Sequence, residues 1–331
     1  MDNSGSAEEV DSGEGRGGFA RPSLAKAGSG DRIFKGVLAG AAGLIPLLAL
    51  ALLGALAVAS WGVLDKEGFG FFFRQVWDPV RENFGAAAFA YGTLMSSFIA
   101  LLVAAPAGMG IALVITEFSP LKAREWAAWV VETLAAIPSV IFGLWGMFVM
   151  APFLHRWVDP VLARLPGRPL FVGPGTGPCL LTAGLLVAIM ILPTIMAVCR
   201  EIFSAVPVSL RESALALGAT RWEAVRLAVL APSVSGIIGA LILGMGRALG
   251  ETMAVTMVIG NRPEISANLL APSDTLASAI ANQFAEATSN MHLSALAALG
   301  FLLFGITMFM NIAARLLVWG VTRRMKNMEA S

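Results

Sequence analysis

The chain is divided into long apolar runs with few or no charged residues, separated by short bands in which charged residues are frequent. A helix needs about 20 predominantly apolar residues to cross the hydrocarbon core of a bilayer. Six runs meet this requirement, at about 37–63, 92–115, 127–154, 179–199, 227–260 and 293–321. The pattern predicts an all-α integral membrane protein with about six transmembrane helices, in a membrane domain over 34–325.

The composition supports this prediction. Apolar residues make up 57% of the chain and charged residues only 14%, against roughly 25% charged residues in soluble domains. An ordinary soluble enzyme is therefore excluded. Residues 1–33 differ from the rest because they are rich in Gly, Ser and acidic residues, which cannot bury an apolar core. We expect them to form a disordered cytoplasmic tail rather than a cleaved signal, whose first part would be basic.

The distribution of Lys and Arg predicts the orientation in the membrane. These residues are more frequent in the tail, in the second and fourth connections and after the sixth run than in the other connections. Short cytoplasmic loops carry the excess of positive charge in membrane proteins. Both termini, and the long connection 200–226, are therefore predicted to be cytoplasmic.

Few residues could carry catalytic or metal chemistry. Cys179 and Cys199 lie at the two ends of one apolar run, too far apart on a helix to form a disulfide. His155 and His292 have no cluster of Cys or carboxylate residues near them, so no metal site is expected. The sequence has no Gly-Lys dipeptide and hence no P-loop. We expect another polypeptide to carry out any ATP hydrolysis.

The connection 200–226 is predicted to contain two short helices. Ser209 followed three residues later by Glu212 fits a capping box at the start of the first helix, which Gly218 would end. Thr220 followed by Glu223 repeats the pattern for the second helix. Such an elbow can contact a partner on the cytoplasmic side, or it can lie in the lipid interface as a surface helix.

The fifth apolar run contains two opposite charges. Arg247 and Glu251 are four residues apart and would share one face of a continuous helix. Ions at membrane depth must be paired or face water. Two interpretations remain open: a charged lining of an anion path, in which Arg247 binds an oxyanion, or a structural ion pair within the helix. Gly236, Ala240 and Gly244 repeat at the spacing that lets another helix approach closely.

Part of the cytoplasmic connection matches a known motif. Glu212-Ser213-Ala214, followed after three residues by Gly218, resembles the EAA loop of ABC-importer permeases, although Pro232 lies one residue later than in the usual pattern. The resemblance implies a type I, MetI-like bundle of membrane helices. It also implies that 200–226 couples the bundle to an ATP-binding subunit through Glu212, Ala214 and Gly218.

Further motifs narrow the family. GRALGETMAVTMVIGN (246–261), YGTLMSSFIALLVAAPAGMGIAL (91–113), AAIPSVIFGLWG (135–146) and Trp77-Asp78-Pro79 resemble phosphate-specific ABC permeases of the PstC type, over about 69–319. The resemblance implies a subunit of an ATP-driven importer of inorganic phosphate in the bacterial inner membrane, with Arg247 and Glu251 in the substrate path.

The same resemblance implies a set of partners. These are a PstA-type permease that completes a heterodimer, a dimer of PstB-type ATPases and a PstS-type phosphate-binding protein. No cofactor is expected on this chain, since ATP and Mg²⁺ would be bound by the ATPase.

Three alternatives remain open on the sequence. The nearest is an ABC permease for another oxyanion such as molybdate or sulfate. A secondary transporter would need no ATPase. An intramembrane enzyme would need a catalytic set of side chains at membrane depth, and none is apparent.

Overall fold

The structure, a computed structural model, describes residues 29–162 and 177–329. Residues 1–28, most of the predicted disordered tail 1–33, lie outside the described residues. The predicted end of the tail at residue 33 differs from the structure, because a helix already begins at Ser29. The described residues contain no strand, only two isolated bridges, one of which joins Asp78 to Asn83. Almost all of the described chain is helical, as predicted.

The α-helices are numbered in chain order over the described residues. They are α1 (Ser29–Ala59), α2 (Trp61–Glu67), α3 (Ala87–Leu113), α4 (Leu121–Ala136), α5 (Ser139–Trp145), α6 (Ala151–Phe153), α7 (Asp159–Leu162), α8 (Leu180–Ser204), α9 (Val208–Ala216), α10 (Arg221–Ala224), α11 (Ala231–Leu249), α12 (Met253–Val258), α13 (Leu276–Gln283) and α14 (Asn290–Glu329). A 3₁₀ turn and four π turns extend or join them, at Gly68–Phe72, Val114–Phe118, Gly146–Met150, Leu154–Val158 and Val225–Leu230.

Six helical segments within the described residues are long and apolar enough to cross a membrane. They are Ile33–Ala59, Ala87–Phe118, Ser139–Leu162, Leu180–Ser204, Arg221–Leu249 and Asn290–Gly320. The predicted number of spans is therefore confirmed, and the chain is a multi-pass membrane protein by length and composition.

The third span differs from its predicted position at 127–154. Helix α4 ends at Ala136, Ile137 is extended, and the membrane-spanning segment starts only at Ser139. The reason is Pro138, which has no N–H to donate and keeps the preceding residue out of the helical conformation. The proline therefore separates two helices instead of kinking one.

The chain divides into two units, Met1–Leu52 and Leu53–Ser331. The described part of the first unit is helical, within α1. The second unit is built around α3 and α8, the most extensive helix pair in the described residues. The two helices approach closely where glycine leaves room: a Cβ at Gly184 would lie 2.7 Å from the side chain of Ile99. Large apolar residues such as Leu186, Ile191 and Ile195 are fully buried at this centre.

The predicted stripe of small residues on α11 packs against α8. A Cβ at Gly244 would lie 2.8 Å from Ile195 Cγ1, and one at Gly236 would lie 2.8 Å from Ile202 Cδ1. Ala240, between them, is fully buried. The expectation that these residues admit a neighbouring helix is confirmed.

We expect Gly244→Ala to destabilise the protein, because the added methyl group would push against Ile195 in a packed interface. Overpacking of this kind costs about 1–3 kcal/mol. Gly239→Ala on the same helix is the matched control, since nothing lies within 4 Å of a Cβ there. That change should be neutral or stabilising by about 0.5–1 kcal/mol. Thermal unfolding of both variants in detergent tests the difference, and equal shifts in Tm would contradict it.

A buried carboxylate lies in the connection between α12 and α13, outside the six spans. Asp274 is 2% exposed, and its Oδ1 accepts a hydrogen bond from the Thr275 N–H at 2.8 Å. Burial raises the pKa of Asp274 from 3.8 to about 6, partly opposed by hydrogen bonds with Ser278 and Thr275. The folded protein therefore binds this proton more tightly than the unfolded chain does.

The Asp274 shift predicts a loss of stability with rising pH. The contribution of the protonated carboxyl is fully present below about pH 4 and disappears as the pH rises through about 6. We expect Asp274→Asn to remove this pH dependence. At pH 7.5 the free energy of unfolding of the variant should exceed that of wild type by on the order of 2 kcal/mol, so the variant should unfold at a higher temperature. Thermal unfolding at pH 4.5–7.5 is the test. Parallel Tm profiles for the two proteins would refute the prediction.

Candidate functional site

A cavity of about 620 Å³ opens between α8, α11 and α14. Its wall combines apolar residues with hydroxyl, amide and guanidinium groups, from Thr194, Ser235, Gly239, Ile242, Leu243, Gly246, Arg247, Asn311, Arg315 and Val318. Each of the three helices contains a membrane-spanning segment. Polar groups that line a cavity between membrane-spanning helices are typical of a water-filled path or a binding site.

Arg247 lies in the last turn of α11, where the close approach to α8 brings it within reach of Thr194. Its Nη1 donates a hydrogen bond to Thr194 Oγ1 at 2.9 Å. Within the described residues, no carboxylate lies within 4.0 Å of this guanidinium. A guanidinium has five N–H donors in a planar fork. Arg247 therefore keeps donors that can bind an oxyanion.

Glu251 does not share a helix face with Arg247, so that prediction is wrong. Helix α11 ends at Leu249, and Glu251 follows the capping residue Gly250. Glu251 Oε1 accepts a hydrogen bond from the Ala254 N–H at 3.3 Å, in the first turn of α12. The predicted span 227–260 is thus broken at 250–252, because Gly250 favours a helix end and Glu251 satisfies a free N–H of the next helix.

Arg315 also lines the cavity, although no motif in the sequence predicts a role for it. It follows Asn311 by four residues on α14, so both lie on one helix face and line the cavity. Its side chain has no hydrogen bond or ion pair with the rest of the described chain. The sequence does show an arginine inside the sixth apolar run, which could have suggested a functional role. It does not show which other helix the arginine faces.

The predicted elbow is present in the connection 200–226. Thr220 and Glu223 form the predicted capping box, with both side chains bonded to backbone N–H groups. Gly218 has φ +86°, a conformation that favours glycine, and it ends the first short helix as predicted. The predicted capping box at Ser209 is wrong. Helix α9 starts at Val208, two residues earlier than predicted, because the extended Pro207 precedes it as the N-cap residue.

A groove of about 730 Å³ lies beside this elbow. Its wall is mainly apolar and comes from Leu210, Ala214, Leu217, Gly218, Ala219, Glu223, Leu227, Ala228 and Pro232. Of the three predicted coupling residues, Ala214 and Gly218 line the groove, whereas Glu212 is exposed outside it. Leu217 is 90% exposed. An apolar surface of this kind on a charged connection is typical of a contact with another protein.

Two comparisons with known proteins decide the family. Residues 104–323 match the model of the family described as "Binding-protein-dependent transport system inner membrane component". The chain is 45% identical over 287 residues to the phosphate transport system permease protein PstC of Mesorhizobium japonicum, covering 84% of this chain and 88% of the relative. It is 44% identical over 293 residues to PstC of Haemophilus influenzae, covering 87% and 93%.

The chain belongs to the PstC family. A PstC-family chain is a permease subunit of a binding-protein-dependent ABC transporter. The resemblance found in the motifs is therefore confirmed over most of the sequence.

Two solved structures are similar to this PstC-family chain. One is titled as inward-facing conformations of the MetNI methionine ABC transporter, with a TM-score of 0.51, 19% identity, and coverage of 73% of this chain and 95% of that chain. The other is titled as a bacterial ABC transporter that imports the acidic polysaccharide alginate, with a TM-score of 0.51, 18% identity, and coverage of 88% and 99%. At this identity they show the fold alone, and that fold is the predicted type I permease bundle.

Proposed function

We propose that this chain forms the phosphate path of an ATP-driven importer. The observation that carries the proposal is the cavity between α8, α11 and α14, where two arginines face the same space without a carboxylate partner among the described residues. The curated relatives at 44–45% identity are named as phosphate transport permeases.

The chemistry of the cavity suits inorganic phosphate. Phosphate carries one to two negative charges near neutral pH and several acceptor oxygens. Arg247 and Arg315 supply positive charge that does not titrate, and the guanidinium fork matches two oxygens of a tetrahedral oxyanion. Thr194, Ser235 and Asn311 add neutral donors that orient the ion without holding it too tightly to be released.

Glu251 acts on this path from the break between α11 and α12. Glu251 follows the C-cap residue of α11, and its carboxylate accepts a hydrogen bond from an N–H group in the first turn of α12. The residue therefore stabilises the connection between the two helices. We expect Glu251 to position the last turn of α11, and with it the Arg247 guanidinium. The match of the motif 246–261 to phosphate-specific permeases supports a role for both residues in the substrate path.

The cytoplasmic elbow couples the path to a separate ATPase. Helix α9 would dock on a PstB-type ATPase through Glu212, Ala214 and Gly218, with the apolar groove receiving side chains of the partner. ATP and Mg²⁺ would be bound by the ATPase dimer, and this chain would carry no nucleotide site. A PstA-type permease would form the other half of the path, and a PstS-type binding protein would deliver phosphate from outside. Both termini are proposed to be cytoplasmic, in the bacterial inner membrane.

Uptake of labelled phosphate tests the proposal. The chain is expressed with its proposed partners in cells that lack their own phosphate importer, and uptake is measured with an excess of sulfate or molybdate. Uptake that neither competitor reduces supports phosphate as the substrate. Competition by molybdate or sulfate, or assembly of the complex without phosphate uptake, would favour a permease for another oxyanion. Uptake that persists with an ATPase inactive in hydrolysis would instead favour a secondary transporter.

A further inference from the structure

A partly buried ion pair joins the elbow to the membrane bundle. Arg211, in the second turn of α9, donates from Nε to Glu117 Oε2 at 3.1 Å and from Nη2 to Glu117 Oε1 at 2.8 Å. The two side chains are 20% and 9% exposed, and the residues are 94 positions apart in sequence. Such a two-fold contact is stronger and more directional than a single surface ion pair.

The same guanidinium also holds the end of the fourth span. Arg211 Nη2 donates to the Phe203 carbonyl at 2.7 Å and Nη1 donates to the Val206 carbonyl at 2.6 Å. Phe203 belongs to the last turn of α8, where free carbonyl groups and the helix dipole favour a cation. Arg211 thus ties three elements together: α9, the end of α8, and the π turn Val114–Phe118 that extends α3.

These contacts connect the elbow to the cavity through one continuous helix. Helices α3 and α8 pack along most of their length and would move together. Helix α8 carries Thr194, the hydrogen-bond partner of Arg247, about 14 Å along its axis from Phe203 at 1.5 Å per residue. A displacement of α9 would therefore reach the wall of the cavity without a flexible segment in between.

We infer that the Glu117–Arg211 pair is the link through which movement of α9 is transmitted to the α3–α8 pair. The two residues are positioning residues, which contact neither phosphate nor the ATPase. The inference rests on the proposed role of α9 as the coupling helix. It predicts that breaking the ion pair leaves the rate of ATP hydrolysis unchanged but uncouples hydrolysis from phosphate transport.

The test uses the complete transporter reconstituted in proteoliposomes, with Glu117→Gln, Arg211→Lys and the double variant. We expect phosphate uptake per ATP hydrolysed to fall roughly tenfold in each single variant, in the range of typical coupling energies between sites. Hydrolysis and the amount of bound ATPase should be unchanged. The double variant should be no worse than the more impaired single variant, because both changes break the same contact. Glu264→Gln, which breaks an exposed ion pair with Arg262, is the control and should behave as wild type.

A second measurement does not depend on the identity of the substrate. Cavity residue Ser235 is replaced by Cys, and its labelling by a membrane-impermeant thiol reagent is compared with and without ATP and vanadate. The nucleotide should change the labelling rate in the otherwise wild-type complex, and this change should be lost with Glu117→Gln. If Glu117→Gln does not accumulate in the membrane, Glu117→Asp and Arg211→Lys, which keep both charges, take its place.

The outcomes separate this inference from the proposed function. A wild-type complex that hydrolyses ATP but moves no phosphate would reject phosphate as the substrate. The link would then be judged only by the labelling of Ser235→Cys, with and without the changes at Glu117 and Arg211. Wild-type coupling and labelling in the pair variants would overturn the link. Loss of the ATPase from the variant complexes, or a proportional fall in hydrolysis and uptake, would also overturn it, because the pair would then serve docking or folding.

Discussion

Arg247→Gln is expected to reduce phosphate uptake by roughly 10- to 100-fold, the effect of losing hydrogen bonds from a charged donor to a charged ligand. The change replaces the guanidinium by a neutral amide on a shorter side chain, so the positive charge and the hydrogen bond from Nη1 to Thr194 Oγ1 are both removed. Arg247→Lys should retain part of the uptake, because it keeps the charge but loses the planar fork. Uptake of labelled phosphate, normalised to the amount of complex in the membrane, is the measurement.

The control for this prediction is Arg262→Gln, which removes an arginine from an exposed ion pair outside the cavity. That variant should transport at the wild-type rate. Wild-type uptake by Arg247→Gln would show that the anion does not depend on this residue. In that case Arg315→Gln, in the part of the same cavity wall that α14 contributes, becomes the deciding variant. Retention of uptake by both variants would reject the cavity as the phosphate path.

The second large effect is expected at the apolar groove beside the elbow. Ala214→Arg places a long charged side chain in an apolar groove that is proposed to receive the ATPase. A charge that is desolvated without a partner at an interface costs several kcal/mol, enough to lower ATPase binding by at least roughly a hundredfold. We expect the ATPase to be lost on purification of the variant complex, and uptake to fall to background.

A matched substitution distinguishes docking from folding. Ala123→Arg makes the same change at an exposed position of α4, outside the groove. This variant should retain the ATPase and transport phosphate. The thermal stability of both variants in detergent should match that of wild type, since both positions have room at the surface. An Ala214→Arg complex that keeps its ATPase would exclude the groove as the docking surface.

Several features could be read from the sequence because local physics decides them. The six spans follow from the length of uncharged runs, which is set by the thickness of the bilayer. The capping box of Thr220 and Glu223 and the turn at Gly218 depend on residues three or fewer positions apart. The packing of Gly236 and Gly244 follows from helical periodicity, because residues four apart share a face.

Local predictions failed where two signals competed. Pro207 outweighed the Ser209 capping pattern, since the ring fixes the backbone directly and a capping hydrogen bond contributes only about 1 kcal/mol. Likewise, the charges at Arg247 and Glu251 have the spacing of a helical pair, but Gly250 between them ends the helix. A spacing rule holds only while the helix continues.

The membrane class, the number of spans and the family motifs thus followed from the sequence, which also singled out Arg247 as a candidate residue of the substrate path. The surroundings of three arginines, by contrast, became visible only in the tertiary structure. Arg247 meets Thr194 on another helix, Arg315 faces the same cavity from α14, and Arg211 reaches Glu117 across 94 residues. These contacts depend on which faces of separate helices pack together, and periodicity within one segment carries no information about its neighbour.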